Sequence, residues 1–363
     1  MDRITKTGIA SALVAALLFG VTTPVAKVLL TDAGPVILAG LLYLGTGIVL
    51  FIYRKIVPLL SSDLRISESG LSRSEIPYLA GAVVAGGILG PVFLMMGLTS
   101  LPAGTASLML NGELVITLLL AVLLFHEPVD KRTLSAILLV LVGGLLISWD
   151  PDAASGLSYG AVLVLLACIA WGIDNNLTRK IADRDPTFIV MVKGLTAGIV
   201  TVLIGLLFGE SLPVSSIIPV ILIVGAAGYG LSLLLFIYGL RSLGTTRTVS
   251  LFATAPFIGL ITAPGITGEM PGLLVIAAGF LMAGGVLLIL TEKHTHLHLH
   301  RMIAHDHRHF HDDGHHDHLH DDEFEFQAHA HDHVHEMVEH DHSHTPDTHH
   351  FHEHRDMNRG NDK

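Results

Sequence analysis

IPYLAGAVVAGGILGPVFLMMGL (76–98) and IPVILIVGAAGYGLSLLLFIYGL (218–240) are the two stretches of this sequence that decide its fold. Each is apolar and long enough, as a helix, to cross the hydrocarbon core of a bilayer, which is about 30 Å thick. A shift of 142 positions aligns residues 76–127 with 218–269 without a gap, so that Gly86 falls on Gly228. The two stretches therefore predict equivalent membrane helices in an internally repeated protein.

Apolar runs of similar length fill most of the chain before residue 292. The whole sequence is 51% hydrophobic and 15% charged with mean hydropathy +0.61, whereas a soluble domain carries about 25% charged residues. The runs lack period-2 alternation, and a helix satisfies its own backbone inside lipid, so we predict helices. The predicted segments are 8–30, 35–55, 76–98, 102–125, 132–149, 156–181, 187–208, 217–240, 245–267 and 271–291.

Two further alignments extend the repeat to the whole membrane domain. A shift of 152 places Phe19-Gly20 on Trp171-Gly172, and a shift of 141 places Gly143-Gly144 on Gly284-Gly285. Each repeat, 8–149 and 156–291, then holds five helices, an odd number, so the two halves insert with opposite orientation. The predicted fold class is an all-α polytopic membrane protein of ten helices in two inverted five-helix repeats, an architecture characteristic of alternating-access carriers.

Basic residues in alternate loops orient these spans. Lysine and arginine concentrate in loops that face the cytoplasm, and here they occupy the even-numbered loops, whereas the odd-numbered loops carry mainly aspartate and glutamate. The pattern predicts a multi-pass protein of the cell membrane with both termini in the cytoplasm. The residues that define it are Arg54, Lys55, Arg65, Arg73, Lys131, Arg132, Arg179, Lys180, Arg184 and Arg241 against Asp32, Asp150, Asp152, Glu210 and Glu269.

Motifs in both halves resemble the EamA type of the drug/metabolite transporter superfamily. LLFGVTTPVAK (17–27) and IAWGIDNNLTRK (169–180) are similar to its first-helix motif. FHEPVDKRTLSAILLVLVGGLLI (125–147) and TGEMPGLLVIAAGFLMAGGVLLIL (267–290) are similar to its helix-end glutamate and Gly-rich closing helix. The resemblance covers about residues 8–291. It implies ten helices, a central cavity and transport of metabolites, amino acids or drug-like cations.

Glu113 is a carboxyl group midway along the predicted fourth helix. A charge at mid-bilayer is costly and normally faces the interior of the helix bundle. Burial favours the neutral form, so we predict that Glu113 takes up and releases a proton during transport. A purely structural hydrogen bond to a neighbouring helix is the alternative. Asn111 is a candidate beside it in sequence, on a different helical face.

Asp174, Asn175 and Asn176 interrupt the sixth helix, one turn after Trp171, and align with Thr22, Thr23 and Pro24. Consecutive helical residues point about 100° apart, so at most two of the three share a face. We predict Asp174 with Asn175 or Asn176 as cavity groups, and Thr23 as a candidate from the first repeat. The alternative is polar packing between helices, worth about 1 kcal/mol per hydrogen bond.

Other polar and aromatic residues leave two interpretations open. Lys193 could pair with Asp174 or a substrate carboxylate, or could snorkel to the cytoplasmic surface. Trp171 and Tyr229 are candidate aromatic walls of the cavity, with ordinary packing or an interfacial belt as the alternative. Lys27 and Arg179 lie near helix ends, where we expect snorkelling.

Residues 292–363 form a polar tail that carries all of the net charge. They hold 6 Lys/Arg and 17 Asp/Glu, and 23 of the 24 histidines. Such a segment has too few aliphatic residues to build a core, so we predict that it is disordered when unliganded. Histidine recurs at nearly every second residue of the tail. The candidate metal ligands are His294, His296, His298, His300, His305, His307, His309, His311, His315, His316, His318, His320, His329, His331, His333 and His335.

Neutral imidazole suits Zn, Ni, Co or Cu, so divalent metal ions are predicted ligands of the tail, and no cofactor is otherwise required. Three functions stay open. The favoured one is a metabolite carrier whose tail senses or buffers metal; the others are a divalent-metal carrier and a membrane metal sensor. An enzyme is not expected, because no nucleophile–base pair or phosphate loop appears. The expected partners are the lipid bilayer, a small-molecule substrate and metal ions, without nucleic acid; a homodimer stays open.

Overall fold

The computed structural model describes residues 3–60, 71–125, 131–149, 157–181, 184–243 and 245–290, together with four short segments of the tail. The described part of the membrane domain contains ten helices, of which two are interrupted. They are α1 (Arg3–Leu29), α2 (Pro35–Leu60), α3 (Ile76–Ala82, Val83–Leu89, Gly90–Leu98), α4a (Ala103–Met109), α4b (Asn111–Phe125), α5 (Lys131–Ser148), α6 (Tyr159–Arg179), α7 (Pro186–Leu207), α8 (Ile218–Gly225, Ala226–Leu231, Ser232–Leu243), α9a (Thr245–Phe252), α9b (Ala255–Thr267) and α10 (Leu273–Leu290).

Eight of these described helices are long and apolar enough to cross a membrane, and α5 and α10 are shorter apolar helices of 18 residues each. The predicted fold class is confirmed, and most helix ends lie within a few residues of the predicted ones. Sequence reasoning missed the interruptions. Helices α4 and α9 break at equivalent positions, near Leu110 and near Ala253, and α3 and α8 each contain a π-helical turn, over Val83–Leu89 and Ala226–Leu231.

Helices α2 and α7 pack along each other. Gly47 lies against the backbone of Leu195, and Gly198 lies against Leu44. Gly47 and Leu44 in the first repeat are equivalent to Gly198 and Leu195 in the second, so the same contact occurs twice. Glycine is required at both positions because a Cβ atom would collide with the facing helix. The inverted repeat is therefore present in the packing as well as in the sequence.

Two further bundles flank this pair, and each combines helices from both repeats. The first bundle is α3, α4 and α6, and the second is α8, α9 and α1. Between the bundles, α4a packs against α9b and against α1, whereas α4b packs against α6 and α5, and α9a packs against α8 and α1. The breaks in α4 and α9 therefore divide each helix into a half that contacts the opposite bundle and a half that packs with helices on its own side.

Backbone pairing in the tail joins His294–Leu299 (β1) with Glu339–His344 (β4), and Ile303–His309 (β2) with His329–His335 (β3), in antiparallel fashion. An isolated pair of strands is marginally stable at best in water. The prediction that the tail is disordered when unliganded stays a prediction.

Candidate functional site

Asp174 and Lys193 form a buried ion pair between α6 and α7. Asp174 is 5% exposed, and its second carboxylate oxygen accepts a hydrogen bond of 3.1 Å from the Thr178 hydroxyl. Of the alternatives for Lys193, the structure has the pairing with Asp174. A charge pair with this little exposure is costly unless both members stay together, so loss of either residue would leave the other buried without its partner.

Gly86, in the π turn of α3, lies directly against this ion pair. A Cβ atom at Gly86 would overlap the Asp174 carboxylate. The Gly86 carbonyl accepts hydrogen bonds from the Tyr43 hydroxyl, at 2.7 Å, and from the Trp171 indole nitrogen, at 3.0 Å. A π turn frequently marks a functional site in a helix. Here the turn brings a backbone acceptor to the place where α2, α3 and α6 meet.

The equivalent place in the second repeat is polar but uncharged. Gly228, in the π turn of α8, lies against the Thr22 hydroxyl as Gly86 lies against Asp174. That hydroxyl donates to the Leu18 carbonyl at 2.7 Å. The repeats thus share the close helix contact, and the first bundle alone carries a carboxylate there.

A second polar cluster joins α4b to α6. The Asn175 side-chain amide donates to the Glu113 carboxylate at 2.9 Å and to the Thr117 hydroxyl at 3.1 Å. Asn176 donates to the backbone carbonyls of Thr117 and Gly172. In the described part of the chain, no ion pair includes Glu113. Its carboxylate accepts from the Asn175 amide, a neutral donor.

The three polar residues of α6 point to three different partners. Asp174 faces Lys193, Asn175 faces Glu113, and Asn176 is buried on the backbone of α4b. Asn175 is exposed, unlike its two neighbours. The structure brings Asn175 to Glu113 and Asp174 to Lys193, in keeping with the limit of two residues per helical face.

The remaining candidates near the helix breaks are buried. The Asn111 amide donates to the Leu108 carbonyl at 2.9 Å, so this hydrogen bond spans the break in α4. Thr23 lines a narrow crevice between α1, α4a and α9b, with Ser107 and Pro256. Ser107 was not predicted, although its hydroxyl is buried there without a hydrogen-bond partner among the described residues. Its polarity within an apolar helix was the signal that could have identified it.

The aromatic candidates are packed in this conformation. Trp171 is buried and donates to Gly86. The Tyr229 ring lies 5.7 Å from the Phe19 ring and 5.6 Å from the Tyr43 ring, centroid to centroid. A cavity near the connection of α9 and α10 measures ≈ 70 Å³, far smaller than the roughly 300–1,000 Å³ of ligand pockets. Trp171 and Tyr229 therefore contact neighbouring helices in this conformation.

Charged pairs also join helices at one end of the bundle. Arg54 at the end of α2 pairs with Asp185 at the start of α7. Arg184 donates to both carboxylate oxygens of Glu75, at 2.9–3.0 Å. The Arg184 guanidinium holds the pKa of Glu75 below its usual range. We refer to this end as the Arg54 end and to the opposite one as the Lys27 end.

The histidine candidates all lie in the tail. Among the described side chains, no group of three or more His, Cys, Asp or Glu could hold a metal ion. In the tail, the backbone alone of the four strands is described. His300, His311, His315, His316, His318 and His320 lie outside the described residues.

The described residues form ten apolar helices in inverted repeats, with breaks at matched positions and ionisable groups within the spans, and these are features of secondary transporters. They define the class of this protein as a membrane transporter. The chain belongs to the EamA-like transporter family, which matches residues 6–149 and 158–291.

Curated relatives agree with this assignment, and a solved structure has a similar fold. An uncharacterized transporter of Methanothermobacter thermautotrophicus is 28% identical over 295 residues, which are 78% of this chain and 85% of the relative. A probable amino-acid metabolite efflux pump of Salmonella typhimurium is 28% identical over 75% of this chain and 91% of the relative. A crystal structure with 17% sequence identity has the same fold, with TM-score 0.56 over 77% of this chain and 95% of that chain.

Proposed function

We propose that this chain is a secondary active carrier that moves a small metabolite, of the amino-acid or drug-like class, by alternating access. Protons drive the transport, and Glu113 takes them up and releases them. The observation that carries the proposal is the contact of Glu113 with the exposed Asn175, directly after the break in α4. Substrate and coupling sites of inverted-repeat carriers lie near such interrupted helices, at the repeat interface.

The names of two relatives support the choice of substrate class. The proteins of Salmonella typhimurium and Escherichia coli that resemble this chain are both described as probable amino-acid metabolite efflux pumps. An amino group of such a solute carries a positive charge that the Glu113 carboxylate could bind in place of a proton. The loop charges further support an orientation with the Arg54 end and both termini in the cytoplasm.

A divalent-metal carrier is the second candidate, and the histidine tail is the feature that favours it. Its membrane ligands would be the oxygens of Glu113, Asp174, Asn175 and Asn176, which suit Mn or Mg better than the metals that imidazole prefers. A metal at Asp174 would also have to displace the Lys193 ammonium. We therefore favour the metabolite carrier.

Proteoliposome fluxes separate these candidates. The full chain and a chain that ends at Lys293 are reconstituted, and uptake of labelled amino acids, amines, Mn²⁺, Zn²⁺ and Ni²⁺ is measured under an imposed proton gradient. We expect organic-solute flux from both proteins and metal flux at the level of protein-free vesicles. Metal flux that is lost on Glu113→Gln would establish the metal carrier instead. Absence of all flux from correctly folded protein would favour a metal sensor.

The tail, in this proposal, binds several divalent metal ions in exchange and reports or buffers their concentration. Imidazole nitrogens at alternate residues provide many ligands without one fixed geometry, and the neighbouring carboxylates compensate the charge of the ion. Such sites are weaker than a closed structural zinc site. Metal binding would then regulate the carrier without the metal being its cargo.

Removing the tail is expected to abolish this binding. Titration calorimetry with Zn²⁺ should find several ions per full chain near neutral pH and none on the chain that ends at Lys293. Because protons compete with metal for imidazole, whose pKa is about 6.5, binding should weaken strongly when the pH falls to about 5.5. Equal Zn²⁺ binding by the two proteins would contradict the proposal and place the metal in the membrane domain.

A further inference from the structure

The Lys27 ammonium binds the backbone of the opposite bundle. It lies at the end of α1 and donates to the carbonyl of Leu98, at 2.6 Å, and to that of Leu101, at 3.1 Å. Leu98 is the last residue of α3, where a helix has unpaired acceptors and a partial negative charge, and Leu101 lies in the turn that follows. Lys27, for which the sequence suggested snorkelling at a helix end, therefore caps α3 with its ammonium group.

Glu269 completes the contact from the connection between α9 and α10. One carboxylate oxygen lies 3.9 Å from the Lys27 ammonium, and the other accepts the backbone N–H of Ala103 at 2.8 Å. Ala103 begins α4a, and a carboxylate stabilises the N-terminal end of a helix. The two residues thus bind both sides of the short turn that joins α3 to α4a.

These hydrogen bonds cross from one bundle to the other. Lys27 and Glu269 belong to the bundle of α1, α8 and α9, whereas Leu98, Leu101 and Ala103 belong to the bundle of α3, α4 and α6. They lie at the same end of the molecule as the packing of α4a on α9b. The halves of α4 and α9 nearer the Arg54 end pack with helices on their own side. The two bundles are therefore joined at the Lys27 end in this conformation.

We propose that Lys27 and Glu269 form a latch that keeps the Lys27 end closed, and that the latch must release before this end can open. The inference rests on the proposed alternating-access function. Opening that end separates the turn at 98–103 from the ends of α1 and α9, and breaks the three hydrogen bonds that cross between them. While the Lys27 end is closed, the Lys27 ammonium and the Glu269 carboxylate compensate each other's charge. Removal of either group therefore weakens the closed state relative to the open one.

Thiol accessibility of the full chain in nanodiscs tests the latch. The single native cysteine is removed by Cys168→Ala, and a reporter cysteine is placed between the bundles by Thr105→Cys or, separately, by Leu260→Cys. We expect Lys27→Gln and Glu269→Gln each to raise the maleimide labelling rate of the reporters about tenfold, which corresponds to about 1.4 kcal/mol. Lys27→Arg keeps the charge and its donors, and should restore slow labelling.

Glu210→Gln is the matched control. Glu210 lies at the same end and also binds the start of a helix, through the backbone N–H groups of Val36 and Ile37, but it joins α2 to the connection after α7 and not one bundle to the other. It should leave the labelling rate unchanged. Unchanged labelling in folded Lys27→Gln and Glu269→Gln proteins, with either reporter, would overturn the latch.

Solute flux, measured on the same variants, keeps the two hypotheses apart. Faster labelling without solute flux in any variant would leave the latch standing and reject the carrier. Solute flux from the parent protein, combined with unchanged labelling in both latch variants, would reject the latch and leave the carrier standing.

Discussion

Asp174→Asn is expected to destabilise the protein and to abolish its transport. The substitution leaves the Lys193 ammonium buried between α6 and α7 without its counter-charge. Removal of one member of a buried pair costs about 3–5 kcal/mol, because the other charge remains uncompensated. Thermal unfolding can be followed through the native Cys168, which is buried and reacts with a maleimide dye once the helices separate.

A double variant tests the physical reason. Asp174→Asn combined with Lys193→Met removes both charges, and replacement of a buried pair by neutral groups is often close to neutral for stability. We expect it to recover the unfolding temperature of the parent without recovering transport. Asp32→Asn is the control, because Asp32 is exposed at a helix connection. Equal unfolding temperatures for Asp174→Asn and Asp32→Asn would show that the ion pair does not stabilise the fold.

Glu113→Gln is expected to reduce proton-driven solute flux to that of protein-free vesicles. Glutamine retains an oxygen that can accept from the Asn175 amide, so the contact between α4b and α6 is preserved. It cannot take up or release a proton, so a proton gradient can no longer do work through this group. The flux is measured in proteoliposomes with an acidic exterior and again with an acidic interior.

Exchange of labelled for unlabelled solute, without a gradient, is the companion measurement. It needs the moving helices and the binding site but no net proton transfer, so it should persist in Glu113→Gln at saturating solute, with a weaker apparent affinity because glutamine offers no charge to the amino group of the solute. Glu113→Asp keeps an ionisable group at the same helix position and should retain part of the driven flux. Undiminished proton-driven flux in the glutamine variant would exclude Glu113 as the coupling group.

The repeat made the architecture predictable from sequence. The lengths of the apolar runs indicated the number of helices, and matched residues such as Gly86 and Gly228 identified the repeat. The odd number of helices in each repeat then predicted the inverted arrangement. The breaks in α4 and α9 were not predictable in the same way. The residues at Leu110 and Ala253 are compatible with a continuous helix, so the interruptions depend on how the two bundles pack.

Candidate residues could be predicted from polarity inside apolar helices, because a polar group in lipid needs a partner. The partners of these polar groups were harder to predict from the sequence. Lys193 had three open interpretations, and Asn175 and Asn176 were interchangeable in sequence although they bond to different groups. Ser107 was overlooked because a single hydroxyl costs little in an apolar helix and therefore gives a weak signal.

The sequence by itself determined the number, length and inverted order of the helices, because these follow from hydropathy, loop charge and internal repetition along one chain. The tertiary structure alone decided which polar groups meet. It joined Asp174 to Lys193, Asn175 to Glu113, and Lys27 to the turn after α3. The physical reason is that each contact joins residues that are in different helices or connections. Its geometry depends on the rotation of the helices and on their close packing at glycines, and neither can be predicted from the local sequence.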